Sequence, residues 1–169
     1  MKSYFAKMRG EMRSPPRPAT AHIFWSWLGA LLGIAAIAYL SRASNVSLLM
    51  APFGASAVLA FAVHESPLSQ PRNIIGGHVL ATTVGLVFAT VAGTSWWAMA
   101  LAVATAIALM QITKTLHAPA GGDPLLVMMA HVSWSFILTP ALTGSVILVL
   151  VALVFNNLVK HRSYPKYWH

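Results

Sequence analysis

Six apolar stretches follow one another along most of the chain, at about 23–41, 46–63, 73–93, 96–113, 119–137 and 140–158. Each is within or near the length of about 20 residues that a helix needs to cross a bilayer. Hydrophobic residues make up 57% of the 169 and charged residues only 8%, against about 25% charged in an average soluble domain. With so few charges the chain cannot cover a water-soluble globule, so a soluble enzyme is excluded and an all-α integral membrane protein is expected. A net charge of +8 raises the question of nucleic acid, but the positions of the charges answer it. Lys2, Lys7, Arg9, Arg13 and Arg17 precede the first apolar stretch, and Lys160, Arg162 and Lys166 follow the last. Basic ends around an apolar body mark cytoplasmic tails. The expected organisation is a basic tail at 1–20, a transmembrane domain at 21–159 and a second basic tail at 160–169. The expected location is a bacterial inner membrane with both termini cytoplasmic. The run from Ile23 to Leu40 is long for a signal peptide, and no small-residue cleavage site fits before Arg42, so it is read as a retained span.

The second and fifth stretches carry helix breakers, Pro52 with Gly54 and Pro119 with Gly121, Gly122 and Pro124. Backbone freed by such a break finds no partner in lipid, so the break must sit inside protein or beside water. Sliding the chain by 67 residues superposes the two breaks: Ala51-Pro52 on Ala118-Pro119 and Gly54 on Gly121. Leu59, His64, Ser66, Gly77 and Val79 then meet identical residues at 126, 131, 133, 144 and 146, as do Val84, Leu86, Val87 and Phe88 at 151 and 153–155. These are twelve identities in the 39 aligned positions of 51–89, where apolar composition alone would give about 3–4. The chain therefore reads as two related helix–broken helix–helix repeats, at about 23–93 and 96–158. Three segments per repeat invert the second copy relative to the first and leave only Arg42 among eleven basic residues outside. A rival arrangement has four spans with the two broken segments re-entrant.

Inverted repeats with broken helices are a transporter design in which half-helix N-termini hold the substrate near the midplane. Such an end carries a partial positive charge of about +0.5, which suits an anion. The candidate binding residues are Pro52, Phe53, Gly54, Ala55 and Ser56 at the first break, and His117, Pro119, Gly121, Gly122 and Asp123 at the second. Arg72 and Asn73 at the head of the third segment and His78 within it complete the set. His64, Lys114 and His131 are candidates for proton handling or gating. Each has a plainer reading beside it. The breaks and the small residues Gly76, Gly77, Ala81 and Gly85 also suit close helix packing, Asp123 is placed to cap the helix that follows, and a histidine between helices is often only a satisfied polar group. Glu65 is expected to pair with Arg72, and Lys114 with Asp123. The aromatic residues Trp25, Trp27, Tyr39, Trp96, Trp97, Tyr164, Tyr167 and Trp168 suit interfacial belts. The histidines have no metal-ligand spacing and the chain has no cysteine, so neither metal nor cofactor is expected.

The stretch Pro52–Leu59 with Glu65–His78, and the second stretch Met110–Leu125, closely resemble the HPP family of integral membrane proteins. The resemblance runs from about Pro52 to the last span. Where the family motif has its middle proline this chain has Ala118, and Asp123 stands where a less acidic residue is expected. The resemblance implies four spans, nearer the re-entrant arrangement, and, through plant and cyanobacterial members, nitrite transport. The combined expectation is a non-enzymatic, homo-oligomeric membrane protein that passes a small monovalent anion, nitrite first. A structural or assembly subunit, and a membrane enzyme using the histidines, remain as alternatives.

Overall fold

The computed structural model describes residues 4–9 and 12–168 and is all-helical over them. A short helix α1 (Tyr4–Lys7) precedes the long α2 (Thr20–Ser44), which stops where Asn45 turns left-handed. After an irregular stretch, α3 (Pro52–Ala57) continues into a π-helical turn, Val58–Ala62. Helix α4 (Pro71–Ala92) starts with proline at its first position, where the missing N–H is not needed. Helix α5 (Trp96–Ile112) leads to the second break, a 3-10 turn over Ala118–Gly122 that opens into α6 (Asp123–Ala130). Irregular turns then feed α7 (Thr143–Leu158). Three helical stretches, Thr20–Ser44, Pro71–Ala92 and Trp134–Leu158, are long and apolar enough to cross a membrane.

Side-chain contacts fix the direction of each segment. Ser41, near the end of α2, donates to the Val46 carbonyl (2.8 Å) and accepts from Leu48 N–H (3.2 Å). Gly29 and Gly33, further back along α2, lie against the Phe61 ring. Ser26 donates to the Phe61 carbonyl, and His22, at the start of α2, sits 3.0 Å from the Ala62 carbonyl. Residues 46–62 thus retrace α2 from end to start, an extended stretch and a half-helix together making one full pass.

The second break runs the other way. Arg72 donates to the Thr113 carbonyl, Asn73 to that of Leu116, and further along α4 Gly85 lies against Pro124 and Val127. Residues 113–127 therefore advance with α4. At the far end of the chain, Asn156 of α7 donates to the Ala60 carbonyl and Arg162 to the carbonyls of Phe61 and His22. The chain makes six passes, with the start of α2 and the end of α7 at one end of the bundle. This is the six-segment arrangement; the re-entrant one fails because both broken segments run the length of their neighbours. The end where α2 starts also holds Arg72, Lys114 and Arg162, and Arg42 lies at the other.

Each third helix covers the break of the other repeat. A Cβ on Gly77 of α4 would lie 2.7 Å from His117 Cβ and 3.0 Å from the Thr115 carbonyl oxygen. A Cβ on Gly144 of α7 would fall on the Phe53 ring and 2.5 Å from the Leu48 carbonyl oxygen. Gly77 and Gly144, and likewise Leu48 and Thr115, stand 67 positions apart, so the sequence repeat reappears as a repeat of packing. The expected small-residue face of α4 serves this close approach.

The last residues strap the basic end. Tyr164 Oη donates to the Ser69 carbonyl (2.7 Å), Lys166 N–H to Gln70 Oε1 (2.7 Å), and Lys166 Nζ meets Glu65 (2.8 Å). Lys166 holds the Glu65 carboxyl below the usual range, and it replaces the expected partner Arg72. Tyr164 is buried rather than interfacial, and burial pushes its phenol up. Trp25 is partly buried against Phe155, while Trp27, Tyr39, Trp96, Trp97 and Trp168 are exposed, as a belt requires.

The packing predicts a contrast between glycines. Gly144→Ala forces a methyl against Phe53 and the Leu48 carbonyl and should cost about 1–3 kcal/mol. Gly121→Ala meets nothing within 4 Å and should stay within about 0.5 kcal/mol of the parent. Thermal unfolding of the two variants in detergent checks the order.

Candidate functional site

The two half-helices pass each other in opposite directions at their first turns. Pro52 of α3 lies beside Gly122, with 3.9 Å between its Cγ and a Cβ built there. One turn on, Ser56 Oγ lies 2.8 Å from His117 Nε2, so the starts overlap side by side. Ser56 and Asp123 are equivalent positions of the two repeats, offset by the same 67 residues, and His78 of α4 stands between them.

These side chains form one continuous line. Asp123 Oδ2 is 2.7 Å from His78 Nδ1, and His78 Nε2 is 2.8 Å from Ser56 Oγ. His117 Nδ1 lies 2.7 Å from the Leu68 carbonyl oxygen, to which it must donate because a carbonyl only accepts. Thr82 donates to Asp123 Oδ2 over a longer 3.4 Å, and Phe53 meets the His78 ring edge-on. Ser56, His78, His117 and Asp123 are all fully buried. Asp123 Oδ1 is buried without a hydrogen-bond partner. The line joins both repeats, since Ser56 and His78 come from the first and His117 and Asp123 from the second.

Several expectations change here. Asp123 makes no capping hydrogen bond, because the chain is already turning at Ala118 when it reaches Asp123; its carboxyl points to His78 instead of to Lys114. The first N–H groups at the breaks are not free donors. Phe53 N–H donates to the Met50 carbonyl, Gly54 N–H to that of Ala51, and Ala120 N–H to that of His117. The half-helix starts therefore contribute their dipoles and their openness rather than a ready set of unpaired amides.

Openness is marked at both breaks. A Cβ on Gly54 or on Gly121 would meet no atom within 4 Å. Ala55 and Pro119 line an apolar cleft of about 400 Å³ with Val58, Leu59 and Ala118. Ala51 and Gly54 line a second, of about 330 Å³, with Ile34, Leu49 and Met50.

The other candidates lie away from this crossing. Arg72 and Asn73 bond to the Thr113 and Leu116 carbonyls at the basic end. Lys114 is exposed in a left-handed turn, and His131 ends α6 exposed in the same conformation. His64 follows the π-helical turn, buried, with neither ring nitrogen partnered; burial pushes its imidazole below the usual range. Reading the sequence along its length missed Leu68, whose backbone fixes His117, and Thr82, one turn beyond His78.

The line predicts which changes at Asp123 the fold tolerates. Asn keeps an N–H that can donate to His78 Nδ1, so Asp123→Asn should cost less than about 1 kcal/mol. Asp123→Leu strands that nitrogen in a buried site and should cost about 1–3 kcal/mol. Denaturation of the purified variants in detergent reads the difference.

Comparison with known proteins places the chain among transmembrane proteins. Two transmembrane proteins of Dictyostelium discoideum are 40% and 41% identical to the chain over 98% of its length. The alignments cover 57% and 63% of those proteins, so the chain spans about three-fifths of the length of these curated relatives. No solved structure matches. The profile of the HPP transmembrane region matches residues 15–165, and the chain belongs to the HPP family of integral membrane proteins.

Proposed function

We propose that the protein moves a small monovalent anion across a bilayer through the crossing of its two half-helices. The observation that carries this reading is the pair of oppositely directed half-helix starts that overlap at Pro52–Ser56 and His117–Gly122, with open space at Gly54 and Gly121. Both helix dipoles present their positive ends to the same region, and among the described residues no acidic side chain besides the histidine-paired Asp123 lies there. Arg72 and Lys114, at the basic end, raise the local anion concentration before entry. Nitrite is the first candidate because members of the family resembled are linked to its transport. On the charge rule the basic end is cytoplasmic, and a bacterial inner membrane is the proposed location. The apolar cleft at Val58 and Leu59 suits lipid or a second copy of the chain, in keeping with a homo-oligomer.

A membrane hydrolase is the second reading, because Ser56, His78 and Asp123 have the spacing of a serine–histidine–carboxylate triad. A nucleophile needs a free flank for the substrate. Ser56 Oγ is instead buried between two imidazole nitrogens, each 2.8 Å away, which favours a non-enzymatic role.

The test is flux in liposomes containing the purified protein, with nitrite, nitrate, formate and chloride compared. The expected result is nitrite entry above protein-free liposomes. Gly54→Val and Gly121→Val place bulk in open space, so they should fold normally and lower flux at least tenfold. Unchanged flux in both variants contradicts a path through the crossing.

A further inference from the structure

The buried line has a property that follows from counting protons. His117 Nδ1–H is committed to the Leu68 carbonyl, so a neutral His117 offers Nε2 only as an acceptor. The Ser56 hydroxyl also lies 3.3 Å from the Pro52 carbonyl, but its single proton goes to the nearer His117 Nε2 at 2.8 Å, and His78 must donate Nε2–H to Ser56 Oγ. In a neutral His78, Nδ1 is then an acceptor, and the proton across its 2.7 Å contact belongs to Asp123 Oδ2. The same heavy atoms also hold a second arrangement. If Asp123 Oδ2–H passes to His78 Nδ1, His78 Nε2–H to Ser56 Oγ, and Ser56 Oγ–H to His117 Nε2, the result is an Asp123 carboxylate and a His117 imidazolium. Three protons shift by one hydrogen bond each, no bond between heavy atoms changes, and the total charge stays zero.

We infer that Asp123, His78, Ser56 and His117 form a proton relay between the two repeats, through which the anion takes a proton with it. This rests on the transport reading of the same crossing. An anion beside His117 stabilises the imidazolium, takes one proton from it and leaves as the neutral conjugate acid. The Asp123 carboxylate is reprotonated, so one anion and one proton move per cycle. Asp123 Oδ1, buried and unpartnered, is the end at which a fresh proton arrives. Among the described residues, the groups that face the line are few. Helix α3 presents Ser56, Phe53 and the Pro52 carbonyl, α4 presents His78 and Thr82, the 63–70 loop presents the Leu68 carbonyl, and α6 presents Asp123. Glu65, Arg72 and Lys166 have their polar partners at the basic end, and the turn at 118–122 has no titratable side chain.

Two measurements on the full chain test this. In liposomes, nitrite uptake above protein-free background should rise with an inward proton gradient and ignore an imposed voltage. Ser56→Ala should lower it at least tenfold, and Ser56→Thr, which keeps the hydroxyl, should retain most of it. Uptake driven by voltage and indifferent to the proton gradient, or an unaffected Ser56→Ala, overturns the relay and leaves transport standing. If the wild type moves no nitrite, nitrate, formate or chloride, the transport reading fails and with it the coupling. The proton arrangement is read separately by nitrogen NMR of labelled histidine. The expected spectrum has Nε2–H on His78 with a neutral His117, or Nδ1–H on His78 with a doubly protonated His117. Nδ1–H on His78 beside a neutral His117 breaks the line and overturns the inference whatever moves in liposomes.

Discussion

A broken helix inside a bilayer is tolerable only where protein covers the backbone it frees, and the whole arrangement follows from meeting that condition twice. The cover is a glycine face: Gly77 of α4 lies on Thr115 and His117, and Gly144 of α7 on Leu48 and Phe53. Because each covering helix belongs to the opposite repeat, neither repeat can close its own break. The repeats are therefore interlocked, and the inverted order of the second is what lets α4 and α7 reach across. The free carbonyls at the other end of the first half-helix are met separately, by Ser26 at Phe61, His22 at Ala62 and Arg162 at Phe61, as a helix C-terminus requires.

This interlocking also decides where polarity can sit. The line from Asp123 to the Leu68 carbonyl runs between repeats, where burial by both would make an unpaired charge expensive. Every nitrogen in it has a partner at 2.7 or 2.8 Å, which is how a polar network inside an apolar body stays affordable. Its two ends differ in kind. One is a fixed backbone acceptor and the other a carboxyl with an oxygen to spare, so the line has a direction built into it.

Much of the frame was legible in the residues. The 67-residue offset announces the repeat, Pro and Gly mark the breaks, and the Gly76-Gly77, Ala81 and Gly85 spacing marks the face that covers one of them. The placement of basic residues favours six passes over four, against the span number the family resemblance implies. The pairing of side chains was not legible. Proximity along the chain pairs Glu65 with Arg72, but its partner is Lys166, brought back by a C-terminal strap that has no local signal. Asp123 looked like a cap because Pro124 follows it; the turn begins five residues earlier, which frees the carboxyl for His78. Ser56 and Asp123 are repeat-equivalent, but their meeting through His78 depends on how three helices pack, and no spacing within one segment encodes that.

The central claim is that the two broken segments run through the bundle in opposite directions, each making a full pass. The chain has no cysteine, so single cysteines report position without background. Exposed sites fall at the end of α2 (Asn45), after the first half-helix (Glu65), after α5 (Lys114) and at the end of α6 (His131). With a membrane-impermeant thiol reagent applied to intact cells and to inverted vesicles, Asn45→Cys and His131→Cys should label from one side, and Glu65→Cys and Lys114→Cys from the other. Labelling of all four from the same side would contradict the account, because it is what two re-entrant segments would give.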